Sequence, residues 1–319
     1  MKATARAYAI QGLIKYHGLR NEKLRIPYHD SISVCMKSLP TTTTVETQPE
    51  LGRDITRING QIPSTRESNR ILAVINRLRE QAGVKTKLRI ESRNPRVNGK
   101  GLGFSASGFA ALGRAASKAL DLEIPEKELS EIVRLGAGSA ARSLVGGFSI
   151  WYANKNGESY GEQLAPPTSI KLKTVIAPVP SQVRTDRVHS DSLTSLFYRS
   201  RLSYIAKALS KMRRAIIRRN IETISELAEV DTLNLHAVTM TGRQGIVLVN
   251  PISIAIINEV RQLRQEGTPC WFSLDTGPSV FVNTTERYAT KVNKRIRTIA
   301  ETIVSEPGGS AETSRQHLF

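Results

Sequence analysis

Acidic side chains are the first shortage in this chain: 28 Asp and Glu stand against 46 Lys and Arg, a formal charge of +18 at pH 7. Aromatic residues make up only 5%. None interleaves with the densest basic cluster, so the stacking platform of a single-strand nucleic-acid binder is missing. The two cysteines, Cys35 and Cys270, each sit in an apolar, strand-like stretch. They form no metal pattern and point to a reducing compartment. No apolar run approaches the roughly 20 residues that span a bilayer. The opening MKATARAYAIQGLIKY lacks both a continuous apolar stretch and a small-residue cleavage site. No secretory leader is therefore expected, no membrane partner either, and the cytoplasm is the expected location. His17, His189 and His236 show no metal-ligand spacing, so no metal site is expected from protein side chains.

An apolar share of 39% over 319 residues is enough for one large domain or two ordinary ones. The positive excess attracts anions, whether nucleic acid, acidic membrane surfaces or phosphorylated small molecules. Its densest cluster, KMRRAIIRRNIE at 211–222, reads as an amphipathic helix with a solvated basic face around Ile216, Ile217 and Ile221. Nucleic acid is accordingly an unlikely partner.

The pattern mixes strands and helices without strict βαβ alternation, which points to an α+β fold with two lobes. Residues 24–36 and 41–48 read as strands around a turn at Leu39-Pro40. STRESNRILAVINRLREQAG reads as a helix: Ser64 and Glu67 form a capping box, Ile71, Val74, Ile75 and Leu78 share a face, and Gly83 ends it. A strand at 87–94 leads through PRVNGKGLG into a helix from about Ser105 to Leu120, and Pro125 opens another that Gly136 closes. APPTS at 165–169 is the candidate boundary between a domain of residues 1–168 and one of residues 169–304. The second domain is expected to hold a long helical region at about 193–228, a short helix with His236, an apolar helix at 251–266 and a hairpin around LDTGPS. Residues 305–319, SEPGGSAETSRQHLF, are polar and unpatterned and are expected to form a frayed tail. There is no internal repeat.

Four stretches can carry chemistry. In GLGFSASGFAAL, Gly101 and Gly103 precede a helix start bearing Ser105 and Ser107, the recipe for a phosphate-binding loop. Tight packing accounts for the glycines equally well, and Phe104 stands where a small hydroxyl would be expected. In GAGSAARSL, Ser139 and Arg142 set a hydroxyl and a guanidinium on neighbouring positions that can grip a carboxylate. A serine cap beside a surface arginine is the plainer reading of the same residues. Asp275, in CWFSLDTGPSVFV, ends an apolar strand. Such residues are usually turn-formers, and a strand-end carboxylate facing a cleft is also a common catalytic group. Lys15, between Ile14 and Tyr16 in an apolar strand, needs a partner if buried.

In this order, LIKYHGLRNEKLRIPYHDSISV, GLGFSASGFAAL, GAGSAARSLVGGF and FSLDTGPSVFV resemble the diphosphomevalonate decarboxylase family of the GHMP kinase superfamily, over about residues 7 to 285. The resemblance implies a two-lobed α+β fold with the active site between the lobes. It implies ATP- and Mg2+-dependent phosphorylation of a tertiary C3 hydroxyl, then loss of phosphate and CO2 to give an isoprenoid precursor. By the same resemblance Asp275 engages the C3 hydroxyl, Lys15 pairs with it, and Arg142 with Ser139 holds the substrate carboxylate. Tyr16 lines the substrate site, Arg66 and Arg70 are candidates for the 5-phosphate, and Gly101, Gly103, Ser105 and Ser107 form the nucleotide loop.

The departures are specific. Leu19 stands where the family has a lysine that would contact a terminal phosphate, which favours a 5-monophosphate over a 5-diphosphate. Ile10 replaces an asparagine, and Phe104 replaces a loop serine. The altered loop keeps open an ATP-independent decarboxylase of mevalonate 3,5-bisphosphate, in which case neither ATP nor Mg2+ is needed. A further alternative is a GHMP kinase without decarboxylation. A homodimer is expected only by analogy.

Overall fold

The computed structural model describes residues 1–181 and 185–319, the side chains of 185–187 excepted. Its frame is a pair of long antiparallel strands, β1 (Lys2–Ile14) and β4 (Ser31–Thr47), separated by the small hairpin β2 (Leu19–Asn21) and β3 (Ile26–Pro27). Around that pair, β5 (Ile55–Ile58), β6 (Leu88–Arg93), β7 (Phe148–Trp151), β8 (Gly161–Ala165) and a C-terminal strand, β13 (Glu312–Ser314), complete a seven-stranded sheet among the described residues. All its pairings are antiparallel except β5 with β6. One face is covered by α1 (Thr65–Ala82), α2 (Phe104–Ala119), α3 (Glu126–Gly136) and α4 (Ala140–Val145).

A second, four-stranded sheet is ordered β10 (Cys270–Ser273), β11 (Val280–Thr285), β9 (Leu172–Ala177), β12 (Ile303–Ser305). It packs on α8 (Pro251–Gln265) and α9 (Glu286–Ile296) around Val175, Ile256, Phe272 and Val282. A shared core joins the lobes, with Leu13, Ile14 and Phe148 from the first sheet meeting Leu172, Ile176 and Phe281 from the second. The helices α6 (Tyr198–Ile217) and α7 (Ile221–Met240) contribute Ile205, Met212, Ile216 and Ile224 to that core, while the short α5 (Thr185–Asp191) precedes them.

Local rules explain most of the elements. The α1 capping box forms as the sequence indicates, Gly83 takes the left-handed C-cap conformation, and the four apolar residues of its face are buried. Helix α2 is rich in alanine and glycine because it lies close to its neighbours: a Cβ on Gly113 would stand 2.2 Å from Val133. Cys35 and Cys270 are both free and buried.

Four expectations are corrected. No turn interrupts the chain at Leu39-Pro40; β4 runs through it, with a break in register between Pro40, opposite Tyr8, and Cys35, opposite Ile10. Proline is tolerated there because bulges release it from the ladder. The cluster at 211–222 is not one helix: Asn220 caps α7 by accepting from the Thr223 N–H, so α6 ends before it and Arg219 takes φ +55°. His236 accordingly lies on the 20-residue α7 rather than on a short helix. Residues 305–319 are not a frayed tail. The backbone of Lys37 donates to Glu306, Gly308 donates to Cys35, and β13 pairs with the edge of β1. The segment is held by backbone pairing and by scattered side-chain contacts, such as Thr4 Oγ1 with His317 and Arg89 over the Phe319 ring, which leave no periodic pattern in its sequence. It lies close against the sheet: a Cβ on Gly308 would stand 2.9 Å from the Tyr8 ring, and one on Gly146 would stand 2.2 Å from the Gly309 backbone.

Candidate active site

At the end of β1 a register shift between Gly12 and Ile14 turns the chain toward the second sheet. The Gly12 N–H donates to both Asp275 oxygens, at 3.1 and 3.2 Å. A Cβ at Gly12 would meet Lys15 at 2.7 Å and Asp275 at 2.9 Å, so only glycine lets these two side chains close over the strand. Asp275 follows β10 and immediately precedes the Thr276-Gly277-Pro278 turn, as its sequence position suggests.

Lys15 is buried, and its ion pair is not with Asp275. Its Nζ lies 3.7 Å from Asp231 Oδ2 on α7 and donates to Ser273 Oγ at 3.1 Å and the Ala228 carbonyl at 3.3 Å. The other Asp231 oxygen pairs with Arg201 Nη2 at 3.2 Å, and Arg201 also donates to the Lys15 carbonyl at 2.6 Å. Asp231 is the residue that sequence reasoning missed; its one signal was an acid within the otherwise apolar register of α7. Lys15 still acts on Asp275 through space. Burial raises the Asp275 carboxyl to about 6, against the opposing pull of the Lys15 charge, the Gly12 N–H and Arg142. Burial also lowers Lys15, and Asp231 opposes that. His236 Nε2 sits 3.3 Å from the Asp275 carbonyl, and burial brings its ring down to about 4, so it is neutral at pH 7.

Arg142, on α4, is 3% exposed, yet its Nε and Nη1 have no hydrogen-bond partner among the described residues. Burial lowers it to about 10, so it remains cationic at pH 7. Its guanidinium stands 5.7 Å from the Tyr16 ring and 6.0 Å from Trp151. Tyr16 packs edge-on to Trp151 and stacks on His189 at 4.7 Å. A buried cation with idle donors is held ready for an anion that arrives from outside. Ser139, at the start of α4, makes no capping bond and lines the same space.

That space is a cleft of about 990 Å³, lined by Lys15, Tyr16, Ser139, Arg142 and Asp275 at one end and by Gly101, Gly103, Phe104 and Ser105 at another. Gly103 is the N-cap of α2 at φ +79°, without a side-chain cap, so the helix presents its first N–H groups toward the opening. The glycines also serve close packing: a Cβ on Gly101 would touch Gly277, and one on Gly103 the Ile10 carbonyl. Phe104 leans half-buried against the shared core and also lines the cleft beside the loop. Ser107 is a correction. It is fully buried, hydrogen-bonds Thr41 Oγ1 at 2.6 Å, and faces the sheet instead of the cleft. Arg66 and Arg70 line the cleft from α1, with Arg70 Nε donating to the Gly136 carbonyl and its guanidinium 5.0 Å from Phe109.

A two-lobed α+β protein with a cationic, glycine-looped cleft between its sheets belongs to the GHMP-kinase-like class. Within it the comparisons are specific. The diphosphomevalonate decarboxylase-like N-terminal domain matches residues 7–161, and the mevalonate 5-diphosphate decarboxylase C-terminal domain matches residues 184–315. A phosphomevalonate decarboxylase of Haloferax volcanii is 42% identical over 98% of this chain and 97% of its own length. The diphosphomevalonate decarboxylase of Candida albicans is 31% identical over 88% and 83%. The solved mevalonate diphosphate decarboxylase of Enterococcus faecalis superposes with a TM-score of 0.91 at 28% identity, covering 99% of each chain. This chain belongs to the diphosphomevalonate decarboxylase family.

Proposed function

We propose that the chain is a carboxy-lyase acting on 5-phosphomevalonate, with ATP and Mg2+, to give isopentenyl phosphate. The observation that carries it is Arg142: a buried guanidinium with idle donors, in the same cleft as a carboxylate tied to Gly12. In this reading Arg142 and Ser139 hold the substrate carboxylate. The C3 hydroxyl then lies at Asp275, whose raised carboxyl suits it to accept that proton. ATP supplies the phosphoryl group that makes the C3 oxygen a leaving group. The C3–O bond then breaks with phosphate taking the electron pair, while the bond to the carboxylate carbon breaks to release CO2 and form the alkene. Arg142 fixes that carboxylate so that the two bonds align, and Lys15 supplies positive charge beside Asp275 as negative charge leaves.

The exposed N–H groups of the α2 start, with Gly101, Gly103 and Ser105, would hold the nucleotide phosphates; no side-chain cap competes for them. Among the described residues no group of three His, Cys, Asp or Glu side chains could hold a metal ion, so Mg2+ is best accommodated on the phosphates it accompanies. The 5-monophosphate is preferred because the near full-length relative carries that substrate in its name and because Leu19 offers no charge.

The test is CO2 release by the purified chain from 5-phosphomevalonate, 5-diphosphomevalonate and mevalonate 3,5-bisphosphate, each with and without ATP and Mg2+. ATP-dependent turnover of the monophosphate is expected. ATP-free turnover of the bisphosphate would overturn the cofactor assignment, and a stable C3-phosphorylated product would overturn the lyase assignment.

A further inference from the structure

The β1 ladder ends at Ile14, which lies opposite Ile32 on β4. Lys15 is the next residue, and side chains from two helices take over its backbone. Its N–H donates to Asp231 Oδ2 at 2.9 Å, and its carbonyl accepts from Arg201 Nη2 at 2.6 Å. Two residues on, the Tyr198 hydroxyl donates to the His17 carbonyl at 2.8 Å. Tyr198 and Arg201 lie three positions apart on the buried face of the first turn of α6. Arg201 also donates through Nη1 to Asn234 Oδ1 at 2.5 Å, so its fork spans the strand end and α7.

Arg201 and Asp231 are both 0% exposed, and Arg201 is not part of the cleft lining. Asp231 is shared between two cations. Lys15 Nζ stands 3.7 Å from its Oδ2, whereas Arg201 Nη2 stands 3.2 Å from its Oδ1. That Oδ1 accepts no hydrogen bond of good geometry among the described residues, so charge alone ties it to Arg201. With Arg201 at one oxygen, Asp231 draws the Lys15 ammonium less strongly than a lone partner would. Part of the Lys15 charge is thereby left for Asp275, whose side chain closes over Gly12 together with that of Lys15. The charged and titratable groups facing the Lys15–Asp275 pair are Arg142 on α4, Arg201 on α6, and Asp231 and His236 on α7.

We propose that Arg201 is a positioning residue for the decarboxylation: it holds the Lys15 backbone, occupies one oxygen of Asp231, and so directs the Lys15 charge toward Asp275. The inference rests on the reaction proposed above, and Arg201 itself touches none of the reactants.

The test compares the unaltered chain with Arg201→Met, which keeps a stem and removes the fork, and Arg201→Lys, which keeps the charge. In Arg201→Met, Lys15 becomes the one cation paired with Asp231, so the ammonium closes on that acid and withdraws from Asp275. The kcat should fall about 10-fold or more while the KM for 5-phosphomevalonate stays within about 3-fold, because the substrate contacts remain. The midpoint of kcat/KM against pH should move up from about 6 toward about 7 as the carboxylate loses its cation. Arg201→Lys should move it the same way by less, since one ammonium cannot span Asp231, Asn234 and the Lys15 carbonyl.

A lowered Tm with kcat and midpoint unchanged would show that Arg201 only ties α6 to the strand, and would overturn the inference. An unmoved midpoint in Arg201→Lys beside a raised one in Arg201→Met would overturn it too, leaving net charge as the whole effect. If Arg201→Met does not fold, the Arg201→Lys midpoint decides alone. If the unaltered chain does not turn over 5-phosphomevalonate at all, the reaction reading fails separately. Titration of the Asp275 carboxyl by 13C NMR then reads the same midpoint without substrate: a rise in Arg201→Lys supports the inference, and an equal midpoint overturns it.

Discussion

Asp275 carries two opposing demands in one carboxyl group. Burial raises it from 3.8 to about 6, so in the folded protein its ionised form is held at a cost. The sign follows from linkage. A carboxyl raised on folding binds its proton more tightly in the native state, so its stabilisation is full below pH 4 and is lost as pH rises from about 4 to 6. Asp275→Asn removes that burden and should raise stability at pH 7 by up to about 3 kcal/mol, measured by urea unfolding, while CO2 release falls by at least 10³-fold on the order of a lost catalytic base. The same group should make kcat/KM of the unaltered enzyme climb with pH through about 6 and level off above it. A flat profile from pH 5 to 8 would detach Asp275 from the proton transfer.

Asp231 behaves in the opposite way. It pairs at once with Lys15 and Arg201, all three nearly inaccessible to water. Asp231→Asn keeps the shape and leaves two buried cations without a counter-charge, which should cost about 3–5 kcal/mol, read as a drop in the urea midpoint. An unchanged midpoint would mean that the network is not structural. Lys15's partner was not legible, because that choice depends on α7 crossing the end of β1 more than 200 residues later; an acid in an apolar helical register says only that some partner exists. Asp275, Arg142, Ser139 and Tyr16 each lie in a short motif that marks them as candidates, and they line one cleft, but their individual roles came from the family resemblance and not from local chemistry.

At the level of elements, legibility followed the range of the forces involved. The α1 capping box and apolar face are local, and they appear as the sequence indicates. The extent of β4 and the fate of the last 15 residues depend on long-range pairing, and both were misread. The α2 start combines the two cases. Its glycines were legible as a loop, but Ser105 and Ser107, two positions apart, point to different places, one toward the cleft and one into the sheet. Ser107→Ala should therefore leave the KM for ATP within 2-fold while costing about 1–2 kcal/mol through the lost buried hydrogen bond to Thr41. Gly103→Ala should be more damaging, because its φ of +79° disfavours any Cβ and the Ile10 carbonyl lies 2.6 Å from where one would stand. A rise in ATP KM on Ser107→Ala, measured by steady-state kinetics, would return that hydroxyl to the nucleotide loop.

Across the whole molecule, one surplus and one closure remain to be weighed. The +18 charge meets a cleft whose ligands are anionic, and a positive field of this size raises the encounter rate of a phosphate ester. Such a field is screened over roughly 8 Å at physiological ionic strength, so kcat/KM should fall several-fold between 20 and 300 mM KCl, approximate conditions chosen to cross that length, while kcat stays nearly constant. The closure is the return of the C-terminus to the first sheet. Strand β13 covers the open edge of β1, the strand that also carries Gly12 at the cleft, and Phe319 ends against Arg89 and Lys2. Lys2 Nζ donates to the Phe319 carbonyl, so the two chain ends are tied. Removing residues 306–319 would bare the edge of β1 and the backbone groups of Cys35 and Lys37 that Gly308 and Glu306 satisfy. Exposed strand edges template association. The truncated chain should therefore lose several degrees of Tm and show concentration-dependent aggregation by light scattering, with activity lost in step with folding. A truncated chain that stays free of aggregation and as stable as the full one would mean that the segment merely rests on the sheet, and that β1 holds Gly12 in place without it.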